Sequence, residues 1–151
     1  MFFRKKRKDS QDTVRIMGLD FGTKRIGVAM SDELLLTAQG LDTIYRKELK
    51  SDLSMIKGIV DSNGVSEVIV GLPLNMNGTY SEKTKEAVSF AGELEKIISV
   101  PVKTWDERLT SMQADKAMLE GDMSRAKRRK LSDRLAAQII LQSYLDSRKR
   151  D

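Results

Sequence analysis

"RIMGLDFGTKRIGVAMSD", Arg15 to Asp32, is the stretch on which the reading of this chain turns. Two apolar runs, residues 14–21 and 25–31, flank a Gly22-Thr23-Lys24 turn, the pattern of two antiparallel strands. Asp20 ends the first run. A carboxylate at a strand end, beside glycine and cations, suits three roles: metal ligand, part of a phosphate-binding loop, or hairpin turn residue.

Outward from the hairpin, a third strand is expected over residues 37–44. Leu49, Leu53, Ile56 and Val60 then recur at helical spacing, and Asn63-Gly64 supplies a stop. Val68-Ile69-Val70, ending at Gly71, reads as a buried parallel strand. "GLPLNMNGTYSE" follows as a loop with Asn77-Gly78 as its turn signal. Thr79 and Glu82 have capping-box spacing ahead of a helix marked by Ala87, Val88, Ala91, Leu94 and Ile98. Residues 100–105 read as another strand. Thr110 and Gln113 form a second capping pair for a helix stopping near Gly121, and Ser124 is placed to cap a last helix reaching about Ser147. An antiparallel meander followed by alternating helices and strands is an α/β layered domain with a mixed sheet.

The composition narrows the chemistry. The 151 residues suit one domain with its own core, and no apolar run reaches the roughly 20 residues of a membrane span. Residues 1–8 lack the apolar segment of a secretory signal, so a cytoplasmic location is expected. There is no cysteine and no histidine. Thiolate zinc sites, cysteine nucleophiles, histidine bases and serine–histidine triads are therefore excluded. Carboxylates without imidazole or thiolate suit hard cations, Mg²⁺ or Mn²⁺.

The net charge of +5 is unevenly distributed. Residues 1–12 hold five cations (Arg4, Lys5, Lys6, Arg7, Lys8) against Asp9 and Asp12, leaving +2 for the rest. Cations gather again at Arg125, Lys127, Arg128, Arg129 and Lys130, and at Arg148-Lys149-Arg150. Such clusters are footprints for a polyanion, or solvated faces. Residues 1–13 are expected to be a disordered basic extension, 14–147 the folded domain and 148–151 a basic tail.

Three acidic positions stand at the ends of elements or on an apolar face. Asp20 ends the first strand and the Asp106-Glu107 pair ends the last. Asp133 falls in line with Ala137, Ile140 and Tyr144, spaced four, seven and eleven, so it sits on or beside a core-facing stripe. Strand alternation sends Asp106 and Glu107 to opposite faces, and periodicity does not choose between them. Carboxylates brought together away from water need a shared cation, as two-metal phosphodiester hydrolysis uses. Each also has a structural reading: a turn at Asp20, a helix N-terminal charge at Asp106 or Glu107, a cap or a pair with Arg129 at Asp133.

"MGLDFGTKRIGVAMSD", "VIVGLPLNMNGTYSEKT", "WDERLTS" and "KLSDRLAAQIILQSYLD", in this order, resemble the motif blocks of the YqgF family, also called RuvX, whose members are described as Holliday-junction-resolvase-like proteins and as pre-16S ribosomal RNA nucleases. The resemblance covers residues 15–146. It implies an RNase H-like fold, a five-stranded mixed sheet with its first three strands antiparallel and helices on its faces. It implies Asp20, Glu107 and Asp133 as catalytic, metal-binding positions for Mg²⁺ or Mn²⁺, in all two ions, and favours Glu107 over Asp106. The basic segment before Val14 is longer than the start typical of the family.

On this reading the chain is a metal-dependent nuclease acting on structured RNA, the precursor of 16S ribosomal RNA, without a membrane partner and as a monomer or weak homodimer. Lys24, Arg25, Arg108 and the 125–130 cluster are candidates for phosphate contacts by position and charge, and Asn75 and Asn77 lie in a loop able to approach the substrate. Competing readings are a resolvase of branched DNA, which needs two active sites and hence a dimer, and a nucleic-acid-binding regulator without turnover. A third is an ATPase like actin or Hsp70, to whose phosphate loop "GLDFGTKRIGVAM" is also similar, although the chain has length for one such domain only.

Overall fold

A computed structural model describes residues 14–108 and 125–148, the side chains of 125–131 excepted. Its elements are β1 (Arg15–Phe21), β2 (Arg25–Ser31), β3 (Ala38–Gly40), β4 (Ile44–Tyr45), α1 (Leu49–Ser62), β5 (Val65–Leu72), α2 (Glu82–Ile97), β6 (Val102–Asp106) and α3 (Arg125–Arg148). The expected helix near Gly121, its Thr110–Gln113 cap, the Ser124 cap and the segment 1–13 lie outside the described residues. Among the described residues no helix is long and apolar enough to cross a membrane.

The sheet runs β3-β2-β1-β5-β6, with β4 also paired to β2. β1, β5 and β6 are parallel, and β2 is antiparallel to β1, β3 and β4. The strand expected over 37–44 is therefore two short ones. Between Ala29↔Gly40 and Ile26↔Ile44, two residues of β2 face three of the partner, so an extra residue bulges out and divides the strand. The sheet has six strands, not five, for this reason.

Alternation along β1 sorts the two cores. Met17 and Leu19 face α1 and α2 and pack with Leu53, Ile56, Val60, Phe90 and Leu94; Phe21 joins this cluster from its margin. On the other face Ile16 packs with Ala137, Ile140, Leu141 and Leu145 of α3. Asp20 shares that second parity. Strand β5, covered on both faces, is fully buried at Val68, Ile69 and Val70, as its continuous apolar run predicts.

Helix α3 lies unusually close to the sheet because glycines leave room for it. A Cβ on Gly27 would stand 2.5 Å from the backbone oxygen of Asp133, and one on Gly18 would stand 2.8 Å from Cβ of Leu141. The helix is tied along its length. Glu67, a buried carboxylate of β5, accepts a hydrogen bond from the Tyr144 hydroxyl (2.9 Å) and pairs with Lys103 (2.8 Å) and Arg148 (3.2 Å). Gln142 accepts from the Ala38 amide at 2.9 Å and donates to the Leu36 carbonyl at 3.0 Å. Nearer the start of the described side chains, Nε of Arg25 bonds Oδ2 of Asp133 at 2.8 Å.

The cap of α2 also departs from expectation. Thr79 is used within its own turn, donating to Oδ1 of Asn77 at 2.6 Å and accepting from Nδ2 of Asn75 at 2.9 Å. Ser81 caps instead, in a reciprocal box with Thr84. The Thr84 hydroxyl, fully buried, donates onward to the Pro73 carbonyl, which fixes the start of α2 against the loop after β5.

Two glycine substitutions should act with opposite signs. Gly27→Ala drives a methyl into the α3 backbone and should lower unfolding free energy by about 1–3 kcal/mol. Gly58→Ala, mid-helix with nothing within 4 Å of the new Cβ, should raise it by about 0.5–1 kcal/mol. Urea denaturation of both variants checks the pair.

Candidate active site

The carboxyl end of β1 opens into two adjoining cavities. One, of about 270 Å³, is lined by Asp20, Gly22, Thr23, Pro73, Lys83 and Glu107, with Phe21 and Glu86 at its margin. The other, of about 300 Å³, is lined by Asp20, Gly22, Thr23, Lys24, Arg25, Lys83 and Asp133. Asp20 and Lys83 belong to both. The three acidic residues singled out by sequence therefore meet around Asp20, although 113 residues separate Asp20 from Asp133.

Each arrives for a local reason. Asp20 pairs with Gly27 across the β1–β2 ladder, and the missing side chain there admits the α3 turn that carries Asp133. Glu107 follows β6, whose register sets Trp105 beside Gly71. A Cβ on Gly71 would stand 2.5 Å from Oε2 of Glu107, so only glycine leaves the carboxylate its place. Asp106 points elsewhere: its carboxylate is gripped by Arg108 at 2.7 and 2.9 Å, which holds it below the usual carboxylate range. Of the pair that strand alternation left open, Glu107 lines the cavity and Asp106 is not among its lining residues.

The electrostatics match this crowding. Burial first, then the charge of Asp133, pushes Asp20 up to about 6. Burial, then the charges of Asp20 and Asp106, pushes Glu107 up to about 7. Lys83 pulls both back. Like charges held together in a half-buried site are relieved by a cation, and an all-carboxylate donor set suits a hard divalent one. Among the described residues no three acidic side chains are yet gathered tightly enough to enclose an ion; Asp133 is instead held by Arg25. The residues fit such an ion by donor chemistry and by unrelieved charge.

The candidate phosphate contacts separate into groups. Lys24 lines the cavity and is exposed. Arg25 lines it too but spends Nε on Asp133. Arg108 forks onto Asp106 and donates to the Met76 carbonyl at 3.2 Å, tying the 75–79 loop beside Glu107. Asn75 and Asn77 direct their side chains into that loop's own turn. Arg125, Lys127, Arg128, Arg129 and Lys130 have side chains outside the described residues, as does the proposed Arg129 partner of Asp133.

Lys83 is the residue that sequence reasoning missed. It stands in the first turn of α2, where a cation is disfavoured by the helix dipole. That misplaced charge, just after a glycine loop, is the signal that could have found it.

A family model described as RuvX, Holliday junction resolvase, matches residues 14–147. The protein of Clostridium kluyveri named "Putative pre-16S rRNA nuclease" is 51% identical over 133 residues, 88% of this chain and 97% of its own. One of the same name from Geobacillus kaustophilus is 49% identical over 138 residues, 90% and 100% of the two chains. Among solved structures, RuvC of T. thermophilus in complex with a Holliday junction substrate superimposes with a TM-score of 0.53 at 16% identity, covering 90% of this chain and 96% of that one. The fowlpox virus resolvase bound to Holliday junction DNA gives 0.56 at 15% identity, covering 88% and 97%. At these identities the two structures share a fold with this chain, the RNase H-like arrangement of a mixed sheet between helices.

Raised carboxyl groups weaken the metal-free protein as pH rises. Between about pH 4 and 7 the folded chain keeps protons that the unfolded chain has released, so stability falls across that window. Asp20→Asn should therefore stabilise the metal-free protein at pH 8 by about 2–3 kcal/mol and change it little at pH 4. Urea unfolding in chelator at both pH values measures this, and equal stability at pH 8 contradicts the crowding.

Proposed function

The chain belongs to the RuvX family, a family of nucleases, and from that premise we propose that it hydrolyses phosphodiester bonds in a structured RNA, the precursor of 16S ribosomal RNA, in the cytoplasm. One observation carries the reading: three carboxylates from distant parts of a chain without histidine or cysteine converge on Asp20 at a strand end. The relatives' name supports the substrate.

Asp20, central to the three, would hold Mg²⁺ or Mn²⁺ together with Glu107 on one side and Asp133 on the other. Bound there, a pair of such ions supplies a water of lowered pKa and a stabilised leaving oxygen. The chain's own residues do the rest. Arg25 fixes the carboxylate of Asp133 against the hairpin. Lys24 and Lys83 border the cavity from opposite elements and hold the non-bridging phosphate oxygens by charge. Gly22 is required by the turn beside Asp20, since a Cβ there would stand 2.7 Å from the Arg25 carbonyl oxygen.

RNA carrying the 5′ extension of 16S precursor should be cut in the presence of Mg²⁺, and Asp20→Asn, Glu107→Gln and Asp133→Asn should each reduce cutting to background. Lys83→Met should lower kcat/KM by about tenfold or more, the weight of one charge-assisted contact. Cells depleted of the protein should accumulate the precursor and be rescued by wild type but not by Asp133→Asn. The family model's description favours a second reading, cleavage of a four-way DNA junction; cutting of that junction with intact RNA under the same conditions would select it. Tight RNA binding without cutting under any metal would mark a regulator instead.

A further inference from the structure

A third cavity, of about 350 Å³, continues the acidic trough on the α1–α2 side of the sheet, and Phe21 and Glu86 line both it and its acidic neighbour. Phe21 follows Asp20 directly, so alternation turns its ring to the opposite face. The ring stacks on Phe90, centroids 4.3 Å apart and planes inclined by 21°. The guanidinium of Arg46 lies over Phe21, 4.4 Å from the centroid.

Arg46 is held by more than the ring. Its Nη1 donates to the carbonyls of Gly22 (3.1 Å) and Thr23 (3.2 Å), and its Nε pairs with the buried carboxylate of Asp52 at 3.3 Å. Gly22 and Thr23 themselves line both acidic cavities. A planar cation is thus locked in orientation beside the acidic site, and Lys85 adds a second, exposed cation at the cavity wall. A flat, pre-oriented guanidinium with aromatic backing is a platform on which nucleobases stack, and Lys85 beside it suits a phosphate next to that base.

The geometry points to a nucleobase pocket: the cavity at Arg46, Phe21 and Leu49 takes the base of a nucleotide next to the scissile phosphate, stacked on the Arg46 guanidinium. This rests on the nuclease reading for the position of that phosphate. A strand whose phosphate lies over Asp20 passes Phe21 and Glu86 before reaching the pocket, so one base is lifted out of the helical stack. The pocket favours substrate that is single-stranded or easily unstacked at that nucleotide, and it fixes the register of cutting without reading a long sequence.

The test uses a fluorescent base analogue, 2-aminopurine, moved one position at a time across the cleaved bond in oligonucleotides made as RNA and as DNA. Complexes with full-length Asp20→Asn are compared with Asp20→Asn combined with Arg46→Lys, which keeps the charge and loses the planar platform. The expected result is a strong rise in fluorescence at one position beside the cleaved bond, where the analogue leaves the stack of its neighbours, abolished by Arg46→Lys. An abasic nucleotide at that position should weaken binding about tenfold or more, but not to the Arg46→Lys protein. A rise at no position, or an equal rise with Arg46→Lys, overturns the pocket. Cleavage by wild type is scored separately. Cutting without a position-specific rise defeats the pocket alone, whereas a rise at one position without cutting defeats the nuclease reading and leaves only base capture by Arg46 standing.

Discussion

The distance between α3 and the sheet governs everything else in this molecule. Helices normally rest on sheets through layers of side chains, which would hold the Asp133 backbone away from the end of β1. Here Gly27 and Gly18 remove that layer on two adjacent strands, and the α3 backbone and Leu141 fill the space. Close packing of this kind adds dispersion contacts but tolerates no added methyl group. It also brings a charged residue, Asp133, into a place where packing alone would select an apolar one.

The site is accordingly a local conflict held in place by the surrounding order. The Glu67 network secures the far end of α3 to β5 and β6 with opposite charges, while the near end confronts like charges around Asp20. One end of the helix anchors what the other end strains against. Lys83 and Arg25 soften the repulsion without removing it, since Asp20 and Glu107 are still raised. The cluster therefore keeps a residual deficit of positive charge.

Much of this was legible in sequence. The hairpin, the buried strand β5, strand β6, the two described helices before α3 and the run of α3 follow from periodicity and punctuation, and Asp20, Glu107 and Asp133 were marked by their places at strand ends or on an apolar stripe. Where the reading failed, the deciding interaction was not local. The split of β3 from β4 depends on a bulge opposite β2. The Thr79–Glu82 box lost to Ser81–Thr84 because the Asn75–Asn77 turn had already claimed the Thr79 hydroxyl. Lys83 and Arg46 looked like ordinary surface cations; only the tertiary fold sets one beside the carboxylates and the other over Phe21. The choice between Asp106 and Glu107 needed the resemblance, and in the structure it is Glu107 that lies over Gly71 and lines the cavity.

The same close-fitting helix sets an order on biosynthesis. A chain emerging from the ribosome presents Asp20 first, Glu107 later and Asp133 last of the three, and Asp133 can reach Gly27 only after α3 has emerged and docks. The β1–β2 hairpin and β5 can pair before then, with their α3-facing surface bare. The acidic cluster is therefore incomplete until α3 has docked, and the pairing of hairpin and β5 alone leaves Asp20 without one of its acidic neighbours.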